Sequence, residues 1–217
     1  MINPILSILI PITPDRHESV IPLLDIIGFG KQLLPFITND LYFYKEYSKD
    51  GNIELLLAND TKVIPIGYKR EMLYERATGV YSWQIDSDDL ISDDAIELVL
   101  GAIKNNPDVD AISFEEYVNI DGKEYKSNHS LEYADWDGDG NKIFSDGFHF
   151  HRTPFFKSVI KTEIAKSVPV PHERFGEDHH WAQALKSNLK SEVHIPEQIY
   201  HYLHISSDFN ERYGIKQ

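Results

Sequence analysis

Asp86-Ser87-Asp88-Asp89 is the stretch whose residue types and spacing point most directly to chemistry. It places three carboxylates within four residues at the C-terminal end of an apolar run, Val80-Tyr81-Ser82-Trp83-Gln84-Ile85. Like charges crowded at the end of a buried strand repel one another and lose hydration, unless a cation or a phosphate-bearing ligand relieves the cost. Oxygen-only ligands suit hard ions such as Mg²⁺ or Mn²⁺. The cluster suggests a metal-assisted reaction on a phosphorylated substrate. A second acidic set, Asp135-Trp136-Asp137-Gly138-Asp139-Gly140-Asn141 with Asp146, has the spacing of a calcium loop. Lys142 takes the slot such loops fill with an apolar residue, Asp146 replaces the usual Glu, and no flanking helices are evident. A solvated acidic turn is the preferred reading.

The elements that must position these groups alternate along the first half. Ile5 to Ile10 is a near-continuous apolar run ended by Pro11, as expected of a strand buried on both faces. Residues 18–47 read as helical, interrupted near Gly28-Gly30 and Pro35. Ile53 to Ala58 is a second buried strand ending at Asn59-Asp60, and Val63 to Ile66 reads as a short third. A helix over Tyr68–Ala77 closes at Gly79, and Val80 to Ile85 forms the next strand. Asp93-Asp94 open a helix to Lys104, and Ala111 to Phe114 is another strand. Beyond it, residues 117–146 read as hairpins or loops, Thr162–Ser167 and Glu177–Ser187 as helices, and Glu192–Ile195 and Ile199–Leu203 as strands. This alternation predicts a mostly parallel α/β sheet, with ligands beyond the carboxyl ends of its strands. Pro11-Ile12-Thr13, Asn59-Asp60 and Asp86-Ser87-Asp88 all fall at those ends.

Composition bounds the function. The 217 residues suffice for one domain with a substantial core. With no cysteine, disulfides and thiolate metal sites are excluded, and a reducing cytoplasm is compatible. The first apolar run lacks a basic leader and is too short to span a bilayer, so a strand is expected there and no membrane span. A net charge of −14 weighs against nucleic acid and anionic membranes as partners.

The ordered motifs resemble the family 2-type glycosyltransferases of the GT-A fold, over roughly Leu6 to Ser207. Ser7-Ile8-Leu9-Ile10-Pro11 resembles the opening strand, and Asn59-Asp60 stands where that family carries an acidic pair touching base or ribose. Gly67-Tyr68-Lys69-Arg70 followed by Ala77-Thr78-Gly79-Val80-Tyr81 resembles the passage leading into the D-x-D strand, and Asp86-Ser87-Asp88 matches D-x-D itself. Phe175-Gly176-Glu177-Asp178 matches the Gly-Glu-Asp opening the acceptor-side helix. Tyr200-His201-Tyr202-Leu203-His204 resembles the C-terminal Tyr-x-Tyr-x-x-His segment, one residue shorter before the histidine. The first loop, Thr13-Pro14-Asp15-Arg16, and the Asn-Asp end of the second strand depart from the pattern.

The resemblance implies a single GT-A domain, a three-layer α/β/α sandwich, with residues 1–105 binding the nucleotide sugar and 106–217 the acceptor. It implies a nucleotide-diphosphate sugar donor and Mn²⁺ or Mg²⁺. Asp88 would ligate the ion with His204 (or His201), Asp86 would serve ribose or metal, and Pro11, Thr13 and Asp60 would line the nucleotide. Lys69 and Arg70 would contact the diphosphate, unless they lie on a solvated helix face. Asp178 is the expected general base of an inverting transfer, with Glu177 beside it; the plainer alternative is two acids at a helix N-terminus. His149, His151, His179 and His180 are unranked, although His179 and His180 adjoin the proposed base. Trp83 and Trp181 are expected in the core.

Rival readings are a nucleotidyltransferase, which would normally show a Gly-rich loop after the first strand, and a noncatalytic nucleotide- or glycan-binding module. The acceptor is expected to be a soluble saccharide or another hydroxyl compound. Hydroxymethylated DNA is a minority alternative, disfavoured by net charge but favoured by a basic run at Arg152, Lys157, Lys161 and Lys166.

Overall fold

A computed structural model of the chain describes residues 4–30 and 41–205. The apolar run at the N-terminus is β1 (Leu6–Ile12), buried throughout. After a 3₁₀ turn at Pro14–Arg16 come α1 (Ile21–Ile26), β2 (Tyr42–Tyr47), β3 (Ile53–Asn59), α2 (Ile66–Arg76) and β4 (Tyr81–Gln84). β5 (Leu90–Ile91), α3 (Ala95–Asn105), β6 (Ala111–Ile120) and β7 (Lys123–His129) follow. The chain continues through β8 (Phe150–Arg152), β9 (Val159–Lys161), α4 (Thr162–Lys166), α5 (Glu177–Lys186) and β10 (Glu192–His204).

The sheet runs β2-β3-β1-β4-β9-β6-β10-β5, with β7 beside β6 and β8 beside β7. β1 is parallel to β3 and to β4, and β6 is parallel to β10 over its length. Antiparallel β9 bridges these parallel blocks. Because side chains alternate across a strand, β1 feeds two cores. Leu6, Ile8, Ile10 and Ile12 pack with α1 and α3 through Leu23, Leu24, Ala95 and Val99. Leu9 faces α2, α4 and α5 through Leu73, Ala165, Trp181 and Leu185. The result is the expected three-layer α/β/α sandwich around a largely parallel sheet, with Trp83 and Trp181 fully buried. Among the described residues no helix is long and apolar enough to cross a membrane.

Several expectations are corrected. Residues 42–47 form an edge strand, not helix, and α1 spans only six residues; residues 31–40, with Pro35, lie outside the described residues. Val63–Ile66 is not a strand but leads into α2. The two C-terminal strands are one, β10, with register shifts between Ile195 and Tyr200. β5, β8 and β9 were not foreseen.

Two glycines set the approach of the site-bearing elements. A Cβ on Gly79 would sit 2.7 Å from the Ser7 backbone nitrogen. Ser7 and Thr78 both donate to the buried Glu54 carboxylate, and Gly79 N–H donates to Ser7 Oγ (2.8 Å), so the turn before β4 is pinned to β1 and β3. A Cβ on Gly67 would come within 1.8 Å of the Pro171 carbonyl oxygen, and Gly67 N–H donates to the Glu173 carbonyl at 3.2 Å. Gly67 thus lets α2 lie against the segment that delivers Gly176-Glu177-Asp178.

Candidate active site

β3, β1 and β4 end side by side, and the chain leaves β1 toward neighbours on both flanks, which opens a crevice at their carboxyl ends. A cavity of about 360 Å³ lies there. Pro11, Thr13, Lys69, Arg70, Asp86, Asp88, Glu177, Asp178 and His204 all line it. Asp60 does not. Its buried carboxylate accepts from Lys69 Nζ (2.6 Å) and from the Ile64 N–H (2.9 Å), so it fixes Lys69 and the loop behind the cavity wall.

Arg70 ties the two sides of the crevice. Its Nη2 meets Asp86 Oδ1 at 2.8 Å, Nη1 donates to Gln84 Oε1 at 3.1 Å, and Nε meets Glu177 Oε1 at 3.2 Å. Burial opposes its charge, but Asp86, Glu177 and Asp178 outweigh that and raise its pKa. Burial pushes the Glu177 carboxyl up, against the pull of Arg70. Neither Lys69 nor Arg70 lies on a solvated helix face: they are 3% and 7% exposed.

Asp88 meets Arg16 Nη2 at 3.0 Å, and burial followed by the Asp86 charge raises its pKa. Asp89 is turned inward. It accepts from Tyr200 O–H (2.7 Å) and Leu203 N–H (3.0 Å), with Lys157 Nζ at 3.6 Å. Burial pushes its carboxyl up to about 8, against Lys157. Tyr200 Oη also accepts from Asp86 N–H (3.2 Å), so the D-x-D turn is anchored to β10. That anchor places His204 on the cavity wall, its Nδ1 3.2 Å from Tyr202 Oη. His201 instead meets the Gln198 carbonyl at 3.2 Å and does not line the cavity.

Among the described residues no three acids or histidines form a set able to hold a metal ion unaided. Mg²⁺ and Mn²⁺ commonly take one or two carboxylates and complete their shell with phosphate oxygens and water. Asp86, Asp88 and His204 line the same cavity, with Asp86 against Arg70 and Asp88 against Arg16, and are of the donor types such an ion takes.

Three cations on this wall were not singled out in the sequence: Arg16, Lys62 and Arg174. Lys62 meets Asp15 at 2.9 Å and holds a left-handed φ of 69°, strain of the kind concentrated at functional sites. Arg174 donates to the Lys62 and Val63 carbonyls (3.2 and 2.9 Å). The visible signals were Arg16 within the departing first loop and Arg174 just ahead of Gly-Glu-Asp.

Gly176, whose φ of 75° suits glycine, precedes α5, and Asp178 enters the first turn with Oδ1 accepting from its neighbour His179 N–H. Among the described residues the calcium-like spacing forms no cluster of three metal-type ligands. Asp135 accepts from His179 and Gln183, Asp137 and Asp139 accept nearby backbone N–H groups, and Asp146 meets His151. The basic run also disperses: Lys157 is buried against Glu116 (2.7 Å), while Lys161 and Lys166 donate to the Asp108 and Ala77 carbonyls.

Comparison with solved structures shows the fold. S. aureus TarS aligns at TM-score 0.53 and 14% identity over 95% of this chain, and its 1–349 fragment with UDP-GlcNAc at 0.53 and 13% over 90%. A mannosyltransferase of Pyrobaculum calidifontis, solved with GDP-Man and Mn²⁺, aligns at 0.52 and 13% over 92%. The chain has the GT-A fold. It spans 38% of the TarS chain, 57% of the fragment and 56% of the mannosyltransferase. No family model and no curated protein sequence matches it. In GT-A terms, the crevice at β1, β3 and β4 lies where an open α/β sheet binds its ligand.

Proposed function

We propose that the chain is a glycosyltransferase moving a sugar from a nucleotide-diphosphate sugar to an acceptor hydroxyl, with inversion at the anomeric carbon. The observation carrying this is one cavity lined by the D-x-D carboxylates, five cations (Arg16, Lys62, Lys69, Arg70 and Arg174) and Asp178. A diphosphate is the ligand class that matches clustered cations beside metal-type carboxylates. The GT-A neighbours solved with UDP-GlcNAc and with GDP-Man and Mn²⁺ support the same donor class. Both parts of the chain contribute to the lining, positions 11–88 and 174–204.

In this reading the more exposed Arg16, Lys62 and Arg174 bind the diphosphate, while Lys69 and Arg70, buried against their carboxylates, fix the wall behind it. Asp88, with Asp86 and His204, would hold Mn²⁺ or Mg²⁺, which supplies charge neutralisation on the leaving diphosphate. Asp178 takes the proton of the acceptor hydroxyl. The acceptor oxygen bonds to the anomeric carbon as the bond from that carbon to the diphosphate oxygen breaks, and the nucleoside diphosphate departs. Glu177, gripped by Arg70, sets the angle of the first turn of α5 and so aims Asp178. Asp178→Asn should lower kcat by about 10²–10⁴-fold while nucleoside diphosphate affinity is kept. Unchanged kcat would remove Asp178 from the base role.

A further inference from the structure

A second cavity, of about 740 Å³, adjoins the first and shares Gly176 and Asp178 with it. Its remaining lining is Asp135, Trp136, Asp137, Asp139, Arg152 and their neighbours, the stretch whose calcium-like spacing found no metal use. Taking the donor reading above as its basis, we propose that this cavity binds the acceptor and that the acceptor is a neutral saccharide, seated against Trp136.

Three observations converge. The first is position: Asp178 lines both cavities, so a hydroxyl compound held in this one lies against the carboxylate that also borders the donor. The second is charge. Asp135, Asp137, Asp139 and Asp178 share the lining with Lys142, Arg152 and His179, the last already paired with Asp135 at 2.8 Å. Arg152 is also committed, donating to the Asp137 and His151 carbonyls (2.7 and 2.8 Å) with its guanidinium 5.0 Å from the Trp136 ring. A phosphate-bearing acceptor would meet net repulsion from these carboxylates. Carboxylates oriented by short-range hydrogen bonds instead suit the hydroxyl donors of a sugar.

The third is the ring. Trp136 is half-buried and braced by Phe155 (4.8 Å) and His179 (5.1 Å). Its indole nitrogen is buried without a partner among the described residues, so what the residue offers a sugar is ring surface rather than a donor. The lining is preformed: Asp137 and His151 exchange two backbone hydrogen bonds, of 2.9 and 3.0 Å.

Trp136 also provides the test, because the other two tryptophans, Trp83 and Trp181, are fully buried. Intrinsic fluorescence is titrated with neutral trisaccharides (maltotriose, mannotriose, chitotriose) with Mg²⁺ and a nucleoside diphosphate present. Phosphate-monoester forms of the same sugars and a hydroxymethylcytosine oligonucleotide are titrated in parallel. A saturable change with a neutral sugar, lost in Trp136→Phe, is expected. In transfer assays Trp136→Phe should raise the acceptor KM about tenfold, roughly a 1.4 kcal/mol effect. A response to the phosphorylated ligands alone overturns the acceptor class. A response that persists in Trp136→Phe, or none to any neutral sugar while nucleoside diphosphate still binds, overturns the site. Failure of nucleoside diphosphate itself to bind would strike the donor reading instead.

Discussion

Arg70 shows how single side chains assemble this site: three edges of one guanidinium hold Gln84 and Asp86 on the D-x-D side and Glu177 on α5. A second buried centre lies beneath, where Lys157 Nζ meets Glu116 at 2.7 Å and sits 3.8 Å from the Tyr202 ring centroid. Burial alone would raise the Glu116 carboxyl, but Lys157 and then His129 outweigh it and hold it at about 2, against an ordinary 4.5. A depressed carboxylate stabilises the fold above its unfolded value and loses that contribution as pH falls from about 4.5 through about 2. Urea midpoints measured from about pH 6 down to about pH 3 should therefore fall more steeply in wild type than in Glu116→Gln, which starts lower. Parallel slopes would refute the pairing. At this scale the sequence showed Asp86, Asp88, Glu177 and Asp178 because each belongs to a short local pattern. It could not show Arg70 with Glu177, 107 positions apart, or the burial of Lys157 within an apparent basic run.

Among the elements, glycines decide how closely parts of the site approach. Gly67→Ala would drive a methyl into the Pro171 carbonyl and separate α2 from the Glu173 segment. A loss of about 1–3 kcal/mol is expected, as for other overpacked sites. Gly101→Ala, on α3 with open space around the added Cβ, should stabilise by about 0.5–1 kcal/mol. Equal urea midpoints for the two variants would contradict the close-approach account. β1, β3 and β4 were legible because strands buried on both faces read as mostly apolar runs, broken only by Ser7 in β1, Glu54 and Asn59 in β3, and Ser82 and Gln84 in β4. β2, Tyr-Phe-Tyr-Lys-Glu-Tyr, is a half-exposed edge whose mixed composition carries neither period, and it was read as helix. β8 and β9 have three residues each, too few for any period, and tertiary pairing makes them strands. Pro196 and Glu197 interrupt the β10 ladder, which is why its halves looked separate.

Over the whole molecule, a net charge of −14 coexists with five cations drawn into one cavity, so attraction for a diphosphate is local. The adjoining cavity is acidic, and the two meet at Asp178. That division suits an anionic donor on one side of the carboxylate and a neutral hydroxyl on the other. The GT-A sandwich was legible from element alternation and motif order; the two cavities were not, because they join residues from distant parts of the chain. The most direct test is release of nucleoside diphosphate from a panel of nucleotide sugars with Mg²⁺ or Mn²⁺, in wild type and in Asp88→Ala. The account predicts release from one donor, dependent on the ion and lost in Asp88→Ala. Full ion-dependent turnover by Asp88→Ala, or no turnover of any donor by wild type, would contradict it.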